Sequence, residues 1–429
     1  MKYSGKKILI LGSNAGSVDL VQYARKNGAT VYVADNLPSE CSPAKLVADH
    51  PLMISTNDFE GLSSVVYEND ICAVFSGISE FNILNAMKLS KKCGLRFYCT
   101  KDQWDYIESK DFFRTLCEKH SVPVPVTFFK GSNVESIEWD SITYPVVVKP
   151  VDCGASTGVF ICDSERRLKE GIPQSIRCSG SGKVIIESYE EGHEFTAHYS
   201  ICDGKASLAC IDNRYPVAVN EGSVTTIPVA RIFPSLFADE YIEQVDKGMI
   251  GLCESLGLDN AVVFVQGIYN PIANRFSIFE AGLRSAAECP NRIIDSVLGL
   301  NYMHFLLDSV VIDDVNYDQS KEDPYLSGRC GGVISFVAKG GMVKRISNVE
   351  KLLKSTPEII DYEQRYDIGD MTPSGNTLRQ LMLRFVVNCD SREDLYRLIK
   401  KINDTVDVFD ENNESLVLKM DPSRVFDLD

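Results

Sequence analysis

The stretch YPVVVKPVDCGASTGV, residues 144–159, constrains this chain more than any other. Val146, Val147 and Val148 form an apolar β-branched run after Pro145, the pattern of a strand covered on both faces. Lys149 ends the run. A lysine there costs little if its ammonium emerges into a cleft, where it presents a compact charge to phosphate oxygens. Gly154, Ala155, Ser156, Thr157 and Gly158 follow, and small residues with glycines let backbone N–H groups approach an anion closely. A Walker loop would place the lysine after the glycines, and no such string occurs. Taken alone, the segment also reads as a β-hairpin with a solvated lysine.

Upstream, KILIL (Lys7 to Leu11), the turn GSNAGS and VYVAD (Val31 to Asp35) predict strand, turn, helix and strand, the opening of a doubly wound α/β unit. The turn lacks the full GxGxxG pattern, so it reads as structural, although Asp35 sits where a ribose-binding acid would. Ile71 to Phe75 and Leu95 to Cys99 predict further strands, with Phe81 to Cys93 as a helix between them. A first domain over residues 1–105 follows.

From Ser109 a helix is expected, closed by Pro123 and Pro125, with Lys110 unusually placed at its positive N-terminal end. Lys183 to Glu194 predicts a strand running into an acidic turn. An adenosine would give that acid a purpose, since a strand-edge backbone can pair with adenine while a carboxylate accepts from the ribose hydroxyls. Glu187 and Glu194 are the candidates, against a reading as a charged surface turn. Tyr241 to Leu256 predicts an amphipathic helix ended by Gly257. Val262 to Tyr269 and Phe276 to Phe279 predict a hairpin that can set Gln266 and Glu280 side by side, where oxygen ligands can hold Mg²⁺ against phosphate, although a lone Gln and Glu on a hairpin are more often structural. A polar, turn-rich segment after Asp313 predicts a boundary, followed by an α+β region with a helix from Arg392 to Ile402.

The formal net charge of −16 argues against a nucleic-acid surface, which needs a basic footprint. Fourteen scattered cysteines without a CxxC pair read as reduced thiols, and an apolar run of only five residues near the N-terminus predicts neither signal peptide nor membrane span. The expected location is the cytoplasm.

Together Lys110, Lys149, the loop Gly154 to Gly158, Glu187, Glu194, Gln266, Glu280 and Arg284 resemble the ATP-grasp superfamily of ligases, close to its carboxylate–amine ligases and carbamoyl-phosphate-synthetase-like members. In that family one lysine precedes a small lid, a second ends a strand before a glycine-rich loop, and a hinge strand supplies an acid at adenine; Lys110, Lys149 and Glu187 match. Glu194 lies seven residues past Glu187, where the family often places its ribose acid. The resemblance implies nucleotide contacts from Lys110, Lys149, Gly154, Ser156, Thr157, Gly158, Glu187, Tyr189 and Glu194, metal ligation by Gln266 and Glu280, and catalytic roles for Arg284 and Lys149. The family pattern E-x-N-x-R appears here as Glu280-Ala281-Gly282-Leu283-Arg284, so a usual ligand of the second metal is missing.

The fold implied is a multidomain α/β and α+β chain: a Rossmann-like preATP-grasp domain (1–105), an ATP-grasp domain (106–315, its lid at about 125–190) and a small α+β C-terminal domain (316–429). The activity implied is an ADP-forming ligation using ATP and Mg²⁺, with Mn²⁺ as substitute, that joins a small carboxylate to an amine, amino acids among them, through an acyl phosphate. Carboxylation through carboxyphosphate and a catalytically silent nucleotide-binding protein are the alternatives. Neither nucleic acid nor membrane is an expected partner, and a homodimer is compatible with the reading. His193, His198, Arg214 and Arg292 are the loosely held candidates for the substrate pocket.

Overall fold

The computed structural model of the chain describes residues 1–13, 15–153, 157–217, 227–287, 290–313, 315–375 and 377–427. Four short runs near the N-terminus, β1 (Lys7–Leu11), β2 (Thr30–Asp35), β3 (His50–Met53) and β4 (Ala73–Ser76), form a parallel sheet in the order β3-β2-β1-β4. The helix Glu80–Cys93 packs on it and stops at Gly94, whose φ of 69° is a left-handed conformation that glycine adopts without a steric penalty. The expected strand over 95–99 is not formed. These residues run without a sheet partner, and the buried Tyr98 hydroxyl instead donates to the Leu283 carbonyl at 3.0 Å. Asp35 is held within the fold by Ser42, by the Leu37 N–H at 2.8 Å and by Lys45 at 2.7 Å, which favours the structural reading of this turn.

A second, antiparallel sheet contains β5 (Thr127–Gly131), β6 (Val146–Pro150), β7 (Phe160–Cys162) and β8 (Val184–Ser188), ordered β5-β8-β6-β7. Its buried face packs on the helix Glu165–Cys178 through Val146, Val148, Leu168 and Ile172. Strand alternation sends Val147 and Lys149 to the opposite face. That face lines a cleft rather than a second apolar layer.

The third sheet is antiparallel and has nine strands. It runs β13 (Arg275–Gly282), β12 (Ala261–Asn270), β9 (His193–Cys202), β10 (Lys205–Val217), β11 (Ile227–Phe233), β14 (Cys330–Ala338), then Leu381–Cys389 and Ile359–Gln364, with Val417–Leu418 beside β14. Segments on both sides of residue 316 therefore share one sheet. The expected helix near Tyr241 to Leu256 is present in three parts, Ala238–Tyr241, a π-turn Ile242–Asp246 and Lys247–Ser255, and packs Tyr241, Met249 and Leu252 into the main core.

Candidate functional site

The cleft lies where the second and third sheets face each other, across the short connection from Ser188 to His193. It encloses about 210 Å³ and brings together Lys110, Lys149, Glu187, Tyr189, Phe279 and Glu280. Five of the residues singled out in the sequence thus converge from positions far apart in the chain.

Lys149 does not reach the cleft as a free cation. Its ammonium is buried and paired with one oxygen of Glu187, on the neighbouring strand β8, while the Arg114 guanidinium takes the other oxygen. Burial lowers the Lys149 pKa from its ordinary value, with Glu187 opposing the shift and Arg114 and Lys110 adding to it. Arg114 comes from the helix Lys110–Lys119 and also donates to the Pro125 carbonyl at 2.6 Å. That helix ends at Lys119, before a left-handed Ser121 (φ 57°), rather than at the prolines. Lys110 donates to the Cys153 carbonyl at 2.8 Å, which ties the helix start to the segment entering the glycine-rich loop. Gly154 and Ser156 lie outside the described residues. Thr157 is exposed, and Gly158 has φ 73° with Ser175 donating to its carbonyl at 2.8 Å. A Cβ at Gly158 would sit 2.8 Å from both Pro150 Cγ and Cys178 Cβ, so glycine is required there.

The connection after β8 is stiffened by groups that sequence reasoning passed over. Ser188 accepts from the Val126 N–H at 2.9 Å and donates to Glu190 at 2.5 Å, and Glu190 pairs with Arg275 at 2.6 Å. Tyr189 donates its N–H to the Pro145 carbonyl at 3.1 Å. Glu194 forms an ion pair with Arg214.

Strand register makes a polar row across the third sheet. Glu280 lies opposite Gln266, Gln266 opposite Thr196, and Thr196 opposite Asp212. Arg231 joins Thr196 to Asp212, at 3.1 Å from the latter, and His198 meets Asp212 at 3.0 Å; all four are buried. His198 is therefore a member of an internal network, while Arg292 pairs with Asp361 beside a separate cleft. Among the described residues no group of three or more His, Cys, Asp or Glu is arranged to hold a metal ion. Gln266 and Glu280 offer one amide oxygen and one carboxylate.

Arg284 lies with its guanidinium 4.8 Å from the centre of the Phe264 ring. Gly282 gives that ring its space: a Cβ there would stand 2.3 Å from Phe264 Cε1 and 3.1 Å from Glu108 Oε1. Glu108, at the end of the helix Lys101–Glu108, accepts from the Leu283 N–H at 3.1 Å. Burial, together with the charges of Glu80 and Glu280, pushes its pKa up to about 8 against the opposing pull of Arg284. Neither Arg114 nor Glu108 carried a sequence signal beyond an ordinary helical charge.

Comparison with known proteins agrees with this architecture. The family described as D-ala D-ala ligase C-terminus matches residues 118–212, which include the cleft strands β6 and β8 but neither Lys110 nor Glu280. The carbamoyl phosphate synthase large chain of Methanoregula boonei is 25% identical over 298 residues, 63% of this chain and 28% of that one. The chain thus spans under a third of the length of such relatives. The L-amino acid ligase of Bacillus licheniformis superposes with a TM-score of 0.76 at 17% identity, over 95% of this chain and 100% of that one. The biotin carboxylase domain of Hydrogenobacter thermophilus 2-oxoglutarate carboxylase, solved with MgADP and bicarbonate, gives 0.75 at 14% identity, over 98% and 94%. The fold is that of the ATP-grasp proteins.

Proposed function

We propose that this chain, an ATP-grasp protein by fold, is an ADP-forming ligase that joins a small carboxylate to an amine, with amino acids as the substrate class. The observation that carries the reading is the convergence of Lys110, Lys149 and Glu280 on one cleft, with Arg284 following two residues after the end of the strand that carries Glu280. Mg·ATP, with Mn²⁺ as a substitute cation, supplies the phosphoryl group that turns the carboxylate into an acyl phosphate, which the amine displaces to give amide, ADP and phosphate.

The residues present suit that group. A volume of about 210 Å³ is below the roughly 300 Å³ of most whole-ligand pockets, so the enclosed part suits a base, leaving the phosphates toward Lys110 and Glu280. In this reading Tyr189 and the backbone around it border adenine, and Glu194 takes the ribose hydroxyls at the expense of its pairing with Arg214. Gly154, Ser156, Thr157 and Gly158 cover the phosphates. Gln266 and Glu280 hold one magnesium, which tolerates a sparse protein ligand set because it keeps several waters.

Phosphoryl transfer asks the protein mainly for position and charge neutralisation. Lys149 neutralises phosphate while Glu187, itself held by Arg114, fixes its ammonium, and Lys110 is steered from the other side by the Cys153 carbonyl. Arg284 orients the substrate carboxylate, with its guanidinium held over the Phe264 ring. Glu108, beside Arg284, is suited to an ammonium group, which would favour its ionised form.

The three-domain division at 105/106 and 315/316, with a lid at about 125–190, describes roles; the nine-stranded sheet runs through the second boundary. The described cysteines are free, which supports a cytoplasmic setting, and among the described residues no helix is long and apolar enough to cross a membrane. A homodimer is part of the proposal. Phosphate release measured over a matrix of amino acids and small carboxylates tests the function. It should appear only when carboxylate and amine are both present. Release with bicarbonate alone would favour carboxylation, and ATP binding without release in any pair would favour a silent nucleotide-binding protein.

A further inference from the structure

A second cavity, of about 600 Å³, lies between the helix Glu80–Cys93, the extended segment 95–100 and the loop 257–260, and shares no lining residue with the cleft. Its volume falls within the roughly 300–1,000 Å³ of small-molecule sites. Leu84, Met87, Phe97 and Leu258 give it apolar walls. Helical spacing explains how charge reaches the same place, because Leu84, Met87, Lys88 and Lys91 follow one another at intervals that share a helix face. Arg96 and Lys101 add two more cations, and Asp259 is the one acid in the lining.

The state of these cations differs. Arg96 pairs with Asp313 at 2.9 Å and Lys101 pairs with Asp105. Lys88 and Lys91 have no side-chain hydrogen bond or ion pair among the described residues. A chain with a net charge of −16 thus concentrates uncompensated positive charge on the edge of an apolar cavity. Such a pairing selects for a ligand of matching character: the apolar body leaves water and the anionic group finds two cations held on a rigid helix.

We propose that this cavity is a binding site for a small organic anion with an apolar body, separate from the nucleotide cleft. Its aromatic sulfonate probe is 8-anilinonaphthalene-1-sulfonate, titrated by fluorescence into the full chain with and without Mg·ATP. One saturable site is expected under both conditions. Lys88→Glu/Lys91→Glu, at two exposed positions, should weaken it at least tenfold without changing the affinity for Mg·ATP. Leu84→Glu, which places a like charge on the apolar wall, should also weaken it. Displacement of the probe by Mg·ATP, or equal affinity in the double variant, would overturn the proposal. So would a wild-type dimer that the double variant dissociates in sedimentation velocity, since the cavity would then be covered by a second copy of the chain.

Discussion

Lys149 and Glu187 form a buried ion pair across the neighbouring strands β6 and β8, and Arg114 completes it on the second carboxylate oxygen. Two cations thus depend on one acid. Removing the acid leaves both uncompensated away from water, whereas removing Lys149 leaves Glu187 with Arg114. Glu187→Ala is therefore expected to destabilise the fold by about 3–5 kcal/mol in urea unfolding, and Lys149→Met by clearly less. Lys149→Met should still lower turnover by roughly 10²–10³, the cost of losing one preorganised charge partner in the transition state. A Lys149 variant with full turnover would remove this residue from the phosphate site.

Gly282 gives the second prediction, and it reverses what the family pattern suggests. An asparagine there would, by sequence alone, offer another oxygen to the metals. The space is occupied: a Cβ meets Phe264 Cε1 at 2.3 Å and Cζ at 2.6 Å. Gly282→Asn should therefore cost about 1–3 kcal/mol of stability by overpacking, with no tighter magnesium binding. Phe264→Leu should recover part of that cost in a double-mutant cycle. Additive losses would mean that the ring is not what excludes a side chain.

Glu108 makes stability depend on pH. Its carboxyl is raised from an ordinary 4.5 to about 8 in the folded chain, so between those values the folded state holds a proton that the unfolded state has released. Stability from this group consequently falls as pH rises from about 4.5 to about 8 and is level above it. Glu108→Gln keeps the acceptor for the Leu283 N–H and removes the titration. Without nucleotide and with metal chelated, its unfolding midpoint should gain on the wild type across that interval. Parallel pH profiles for the two proteins would contradict the assignment.

Part of this fold and site is legible in the sequence. The strand ending near Lys149, the strand carrying Glu187 and the hairpin carrying Gln266 and Glu280 are local signals, because alternation and turn residues act over short spans. The partners are not. Glu187 meets Lys149 only because β8 inserts beside β6, and a helical arginine such as Arg114 reads as surface until the helix face is known. The segment 95–99 has the apolar content of a strand, but Tyr98 spends its hydroxyl on Leu283 and no neighbouring edge is offered to its backbone. Gly282 looked like a lost ligand, and only packing reveals the ring that requires it.

Glu194 and Arg214 test the ribose assignment. Their ion pair must yield to a bound ribose if Glu194 accepts from both hydroxyls. Glu194→Gln should weaken ATP more than 2′,3′-dideoxy-ATP in equilibrium binding, since only the former has hydroxyls to lose. Equal losses for both nucleotides would place Glu194 elsewhere.

The central claim is that the carboxylate substrate is activated by direct phosphorylation in the cleft shared by Lys110, Lys149 and Glu280. Transfer of isotope reports this step itself. With a substrate pair found to release phosphate, the carboxylate is labelled with ¹⁸O and the released phosphate is analysed by mass spectrometry. An acyl phosphate displaced by an amine leaves one carboxylate oxygen on phosphate, so each turnover should yield phosphate carrying one ¹⁸O, and Glu280→Gln should yield none. Phosphate free of label while amide accumulates would contradict the account.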